Sequence, residues 1–284
     1  MTTQSKENVM WARFAVEPGS RVRLAEHDPG TPRGLTRERA DAARPQLAAE
    51  FAELQELLYA ARTHALLVIL QGMDTSGKDG TIKSVMDPVN PQGVRVRSFK
   101  VPTHEELAHD FLWRAHAATP ELGMIGIFNR SHYEDVLVVR VHDLVPAATW
   151  RKRYRHINDF ERLLSDSGTI VLKFFLHISR EEQEERLLAR EKEVEKAWKL
   201  SVGDWRERTF WDEYTKAYED ALSKTSTENA PWFIIPANKK WARNHVVLAT
   251  VVEALRPHRA AWLDQLSAVG KKAAAELEAF HGQS

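Results

Sequence analysis

The stretch Ala65-Leu-Leu-Val-Ile-Leu-Gln71 runs directly into Gly72-Met-Asp-Thr-Ser-Gly77-Lys78-Asp79-Gly80-Thr81. The first part is a short continuous apolar run, the pattern of a strand buried on both faces in a parallel sheet. The second has G-x4-G-K spacing and sits where a strand ends and a helix opens. Glycines there let backbone N–H groups turn inward around phosphate oxygens. The new helix offers its free N–H groups and positive end to the same anion. Lys78 supplies a point charge for a phosphoryl group in flight. Gly72, Ser76, Gly77, Lys78, Asp79, Gly80 and Thr81 therefore form a candidate phosphate cradle. The competing reading is a Gly-rich turn whose Lys is a solvated helix residue.

One position departs from the usual pattern. The Ser or Thr that normally follows the Lys and holds Mg²⁺ is Asp79 here. A carboxylate is a hard anionic oxygen donor and suits Mg²⁺ better than a hydroxyl. Asp74 lies inside the loop, where its charge would repel bound phosphate unless a cation lay between. Asp74 is therefore expected to hold metal. The alternatives are that Asp74 caps the turn toward solvent and that Asp79 only complements its helix dipole.

Outward from the loop, apolar runs at Val94–Phe99, Met124–Phe128, Thr169–Leu176 and Trp232–Ile235 predict further strands. Periodicity and spacing predict helices over about 38–63, 78–87, 103–117, 148–166, 179–195, 203–224 and 240–266. Strands alternating with helices mean an α/β fold on a mostly parallel sheet. The chain divides into an irregular arm over 1–40, a phosphate-loop domain over 41–266 and a short helical tail over 267–284.

The run Met124–Phe128 ends in Asn129-Arg130-Ser131-His132-Tyr133-Glu134-Asp135. Ligands of open α/β sheets bind beyond the carboxyl ends of the strands. Arg130 would project there, clamp phosphate oxygens and stabilise transition-state charge. Its alternative is a salt bridge to Glu134 or Asp135. Where a second metal carboxylate would stand, the residue is Asn129. Either Asn129 reaches the ion through its carbonyl or water, or Glu134 or Asp135 substitutes. His109, Asp110, Trp113 and Arg114 follow the second strand on the predicted 103–117 helix, a candidate wall for a nucleotide, together with Glu134. A base could stack on Trp113 and Arg114 could meet an acceptor phosphate; a core helix with charges outside is the alternative.

Arg186 and Arg190 are four apart on one helix face, and Lys199 and Arg208 follow. They read as a lid over about 185–210 that closes cations over phosphates and excludes water, or else as a solvated helix laced with ion pairs. The crowded Trp198, Trp205, Trp211, Trp232 and Trp241 read mainly as packing near the lid base.

Composition narrows the classes. Forty basic and 40 acidic side chains cancel in 284 residues, so global charge advertises neither nucleic acid nor membrane as a partner. No Cys means no disulfide, thiolate metal site or Cys nucleophile, and the cytoplasm is the expected compartment. No apolar run approaches the ~20 residues of a membrane span.

Taken together, the chain resembles the family-2 polyphosphate kinases over about residues 15–255. The resemblance rests on Gly72–Gly80, Phe99–Thr103, His109–Arg114, Phe128–Asp135, Ile157–Glu161, Lys173–Ser179, Trp198–Ser201 and Trp211–Tyr214. It implies a thymidylate-kinase-like P-loop kinase, a three-layer α/β sandwich with a mostly parallel five-stranded sheet and a helical lid. It also implies reversible transfer of the terminal phosphoryl group between inorganic polyphosphate and a nucleotide, with Mg²⁺ or Mn²⁺. By similarity, Asp74 holds metal, Lys78 and Arg130 bind phosphates, and lid cations near Arg190 grip the polyphosphate chain. The family often has Asp where Asn129 stands. His132–Asp135 resembles the branch that phosphorylates both AMP and ADP. A homodimer or homotetramer is the implied assembly. An ATP-dependent nucleoside monophosphate kinase and a nucleotide-binding scaffold without turnover are the rival readings.

Overall fold

The computed structural model describes residues 11–192 and 202–281. The apolar run becomes β1 (Ala65–Gln71), every residue of it buried. It leads through the loop into α2 (Lys78–Met86), after the long α1 (Arg37–Ala61), which is N-capped by Thr36. Then come β2 (Val94–Ser98), α3 (His104–Ala108), α4 (Trp113–His116), β3 (Ile125–Asn129), α5 (Val138–Val141), α6 (Ala147–Asp166) and β4 (Thr169–His177). The chain continues with α7 (Arg180–Lys192), α8 (Val202–Arg208), α9 (Trp211–Thr225), β5 (Trp232–Pro236), α10 (Lys240–Leu255) and α11 (Arg259–His281).

The five strands pair in parallel in the order β2-β3-β1-β4-β5, so β1 sits at the centre. Its register, Leu70 beside Asn129 and Gln71 beside Phe175, brings the carboxyl ends of β1, β3 and β4 level. Helices cover the sheet: α10 packs on α1, α2 and β5, and α6 packs on β4 and α9. This is the expected α/β P-loop kinase architecture.

Three predicted helices are divided, each for a local reason. The 103–117 helix becomes α3 and α4, because the Asp110 carboxylate accepts from Leu112 N and holds a turn that competes with helix. The 203–224 helix becomes α8 and α9, parted where the Thr209 hydroxyl bonds back to Arg206 O. The 240–266 helix breaks at a 3-10 turn, Arg256–His258. Pro257 has no N–H to continue the helix. Beyond it α11 runs unbroken to His281, so the tail boundary placed at 266/267 falls inside a helix.

Of the 1–40 arm, residues 11–36 are irregular apart from 3-10 turns at Trp11–Arg13 and Leu24–Glu26, and the boundary placed at 40/41 falls inside α1, which already begins at Arg37. Ala15 bridges Phe233 in antiparallel fashion, with Val16 N donating to Trp232 O and Ile234 N to Phe14 O. Ser226 Oγ donates to Val16 O, and Asn238 N to Pro29 O. Among the described residues no helix is long and apolar enough to cross a membrane.

Candidate active site

An open cavity of about 1130 Å³ lies beyond the carboxyl ends of the strands. Gly72, Asp74, Gly77, Lys78, Asp79, Gly80, Arg114, Asn129, Arg130, Glu134, Arg190 and Arg208 all line it. The Gly72–Gly80 loop, the end of β3 and helices α7 and α8 therefore meet at one cavity.

The loop's shape rests on two glycines in the left-handed region, Gly72 at φ 151° and Gly77 at φ 99°. A Cβ on Gly72 would stand 2.7 Å from Leu176 O. Lys78 curls over its own loop and donates to Gly72 O at 2.8 Å and to Met73 O at 3.3 Å. Burial pushes its ammonium down to about 8, helped by Arg130 and opposed by Asp74, Glu134 and Asp79.

Arg130 also has a left-handed backbone, φ 60°. Its Nη2 donates to Asp74 Oδ1 at 2.6 Å and its Nη1 to Glu134 Oε2 at 3.4 Å. Burial works against this charge, but Glu134 and Asp74 outweigh it and hold the guanidinium above its ordinary value. The salt bridge foreseen as an alternative for Arg130 is thus present, and the side chain still faces the cavity. Asn129 Nδ2 donates to Asp79 Oδ1 at 2.7 Å, so its amide orients the first carboxylate of α2.

Asp74, Asp79, Asn129 and Glu134 present hard oxygen atoms to one cavity. Among the described residues no three His, Asp or Glu side chains converge closely enough to cage a metal by themselves. The donor set suits Mg²⁺, which commonly takes one or two carboxylates from the protein and the rest from phosphates and water.

Several expected residues stand elsewhere. Ser76 is fully buried; its N–H closes the turn on Met73 O, and its hydroxyl does not line the cavity. The Thr81 hydroxyl bonds Gly77 O inside the first turn of α2, also away from the cavity. Arg186 spends its guanidinium on Thr75 O, Ala237 O, Asn238 O and Glu182, behind the loop rather than in front of it. His109 and Trp113 stack on each other at 4.2 Å, and Asp110 caps its turn; none of the three reaches the cavity. The break between α3 and α4 turns these three away, and of the four candidates on that segment Arg114 alone lines the cavity. Lys199 lies outside the described residues.

Arg114 is 7% exposed. It donates to Lys100 O at 2.9 Å and pairs with Glu106 and Asp135. Arg153, within the basic run Arg151-Lys-Arg-Tyr-Arg-His156 of α6, joins it by donating to Asp135 Oδ1 at 3.1 Å. Burial pushes the Asp135 carboxyl up, against the pull of Arg153 and Arg114. The available signal was that Arg153 flanks the buried stripe Trp150–Tyr154–Ile157 of α6. Gln183, Asp204, Glu207, Tyr214 and Tyr218 also line the cavity and carried no sequence signal. Arg190 pairs with Asp204 at 2.8 Å, and Arg208 with Glu184 at 2.6 Å, across the two lid helices.

Comparison with known proteins places these features in context. A family model described as polyphosphate kinase 2 matches residues 34–261. The AMP/ADP-polyphosphate phosphotransferase of Meiothermus ruber is 54% identical over 245 residues, which are 86% of this chain and 92% of that one. The ADP-polyphosphate phosphotransferase of Rhodopseudomonas palustris is 48% identical, covering 72% of this chain and 74% of the relative. The crystal structure of polyphosphate kinase 2 from Arthrobacter aurescens TC1 superposes with a TM-score of 0.83 at 44% identity, covering 90% and 91% of the two chains.

Proposed function

The chain belongs to the polyphosphate kinase 2 family, and on that premise we propose that it moves the terminal phosphoryl group of inorganic polyphosphate onto AMP and ADP. It is a phosphotransferase, and polyphosphate and adenine nucleotides are its substrates. The observation that carries the reading is the meeting of Lys78 and Arg130 with Asp74, Asp79 and Glu134 in one cavity at the strand ends.

The chemistry follows from those groups. The acceptor's terminal phosphate has its second pKa at about 6, so its oxygen is largely ionised at neutral pH and needs no strong base. That oxygen attacks the end phosphorus of the polyphosphate in line, a new P–O bond forms, and the bond to the shortened chain breaks. Lys78 and Arg130 neutralise the phosphoryl oxygens and hold them in line. Arg190 and Arg208 on the lid grip the polyphosphate chain and close water out. The Lys100, Arg114 and Arg153 side of the cavity receives the acceptor's phosphates. A divalent cation belongs to this reaction; Mg²⁺, with Mn²⁺ as a substitute, would be held by Asp74 with Asp79, Asn129 or Glu134 and would neutralise phosphate charge. We place the enzyme in the cytoplasm, as a homodimer or homotetramer. Exposed Leu263, Val269, Leu277 and Phe280 on α11 give such an assembly apolar surface to bury.

The test is a chromatographic nucleotide assay with Mg²⁺, long-chain polyphosphate and AMP or ADP, run beside ATP plus AMP. ADP followed by ATP from AMP and polyphosphate is the expected result. ATP from ADP alone would remove AMP as an acceptor. Turnover only with ATP as donor would replace the reading with a nucleoside monophosphate kinase.

A further inference from the structure

The phosphate loop is held from behind as well as from within. Its five carbonyls from Gly72 to Ser76 each accept a side-chain N–H. Lys78 Nζ serves the first two. The next three are served by distant parts of the chain. Gln183 Nε2 donates to Asp74 O at 3.1 Å, Arg186 Nη1 to Thr75 O at 2.8 Å and Arg243 Nη1 to Ser76 O at 3.1 Å. In a planar trans peptide the C=O and the following N–H point opposite ways. Drawing these carbonyls outward therefore turns the N–H groups of Thr75, Ser76 and Gly77 inward. That of Ser76 closes the turn on Met73 O.

Arg243 stands out within this brace. It is 2% exposed, on the first turn of α10. Two further donors, Nε and Nη2, go to the neutral Asn244 Oδ1, at 3.1 and 2.9 Å. Among the described residues it forms no ion pair, and the charge it feels is another cation. Burial, then repulsion from Arg186, pulls its guanidinium down to about 10. A buried charge without a counter-charge is costly. The approach is also very close: a Cβ on Gly77 would fall 1.8 Å from Arg243 Nη1, so this glycine is needed for the guanidinium as well as for its φ.

We propose that Gln183, Arg186 and Arg243 are positioning residues that hold the phosphate loop with its N–H groups turned toward phosphate, and that Arg243 finds its counter-charge in the polyphosphate on the loop's other face. The inference rests on the reading of the cavity as the polyphosphate site. It reassigns Arg186 from gripping phosphate to shaping the loop that does. It also ties the loop to the lid, because Gln183 and Arg186 share α7 with Arg190.

Arg243→Met removes charge and hydrogen bonds at similar length, Arg243→Lys keeps the charge, and Arg186→Gln tests the second strut. Each is measured on the full chain for kcat, for KM of polyphosphate and of ADP, and for the melting shift produced by tripolyphosphate. Arg243→Met is expected to raise the polyphosphate KM about tenfold or more and to lower kcat. The ADP KM should stay within about twofold, and the tripolyphosphate shift should fall to roughly half or less. Arg243→Lys should recover most of the polyphosphate KM. A packing role alone would lower Tm equally with and without tripolyphosphate and leave both KM values unchanged, and that result overturns the proposal. Should Arg243→Met not fold, Arg186→Gln decides by the same readouts, an unchanged polyphosphate KM again overturning it. A wild-type enzyme inert toward polyphosphate would instead reject the assignment of the cavity.

Discussion

Arg130 and Lys173 are both cations set against carboxylates, one at the end of β3 and the other within β4. The turn His132–Asp135 serves both. It sends Glu134 outward to Arg130, while His132 and Tyr133 face inward to the Glu161 carboxylate that pairs with Lys173. Lys173 is fully buried, and its three donors are all used, on Glu161 at 2.5 Å, Thr225 O at 2.6 Å and Tyr133 Oη at 3.0 Å. Burial pushes Glu161 up, yet Lys173 and His132 hold it below its ordinary value. Arg130 keeps 39% of its side chain exposed and has one tight partner and one long one. On the proposed function, the difference separates a charge that builds the protein from one that works: the first is saturated internally, and the second holds partners that a phosphate would replace.

The largest effect is expected at the buried pair. Lys173→Met leaves the buried Glu161 carboxylate with Tyr133 and His132 but without its cation, and should cost about 3–5 kcal/mol, lowering Tm by roughly 10 °C in thermal melts. Adding Glu161→Leu should restore much of that loss. A single variant that melts like wild type would show that the buried pair carries no such weight. Next in size is Arg130→Ala, expected to lower kcat about 10²–10³-fold while Tm moves by only a few degrees. An Arg130 variant that unfolds but keeps its turnover per folded molecule would reverse the two roles.

A pH profile sharpens the working half further. Lys78 is held near 8 in the free protein, so kcat/KM should fall about tenfold per unit above roughly pH 8. Lys78→Arg should lose that alkaline limb whatever its overall rate. Stability moves the other way in the same window. Between about 8 and an unfolded value near 10.4 the unfolded chain binds more protons at this site, so Lys78 favours the folded state increasingly as pH rises. The smallest effect belongs to a third kind of charge. Arg256 pairs with Glu50 at 2.5 and 2.8 Å, half exposed and far in sequence from the loop. Arg256→Ala should cost at most about 1 kcal/mol in denaturant titrations and leave kcat unchanged.

Much of this was legible beforehand because its signals are local. The run from Ala65 to Thr81 carries strand, turn and helix start in consecutive residues, and Asn129–Asp135 follows its strand without a gap. Where the reading failed, a side chain overrode a periodicity. Asp110 breaks the predicted 103–117 helix and takes Trp113 out of the cavity. Other features depend on long-range meetings that no spacing reveals. Gln183 and Arg243 reach loop carbonyls 109 and 167 positions away. Arg153 is hidden in a basic run whose members face different ways: it enters the cavity, while Arg151 lies beside the Trp150 ring.

The strip of arm beside β5 has a consequence for solubility. An open sheet has two margins, and each offers unpaired N–H and C=O groups to any other strand it meets. On the β2 side the protection is electrostatic, with Arg95 and Arg97 on an exposed strand tied to Glu121 and Glu106. On the β5 side it is steric, for Phe14 and Val16 already occupy the hydrogen-bonding groups of Trp232 and Ile234. Residues 14–16 line no part of the cavity, yet removing them would turn a finished margin into a template for aggregation.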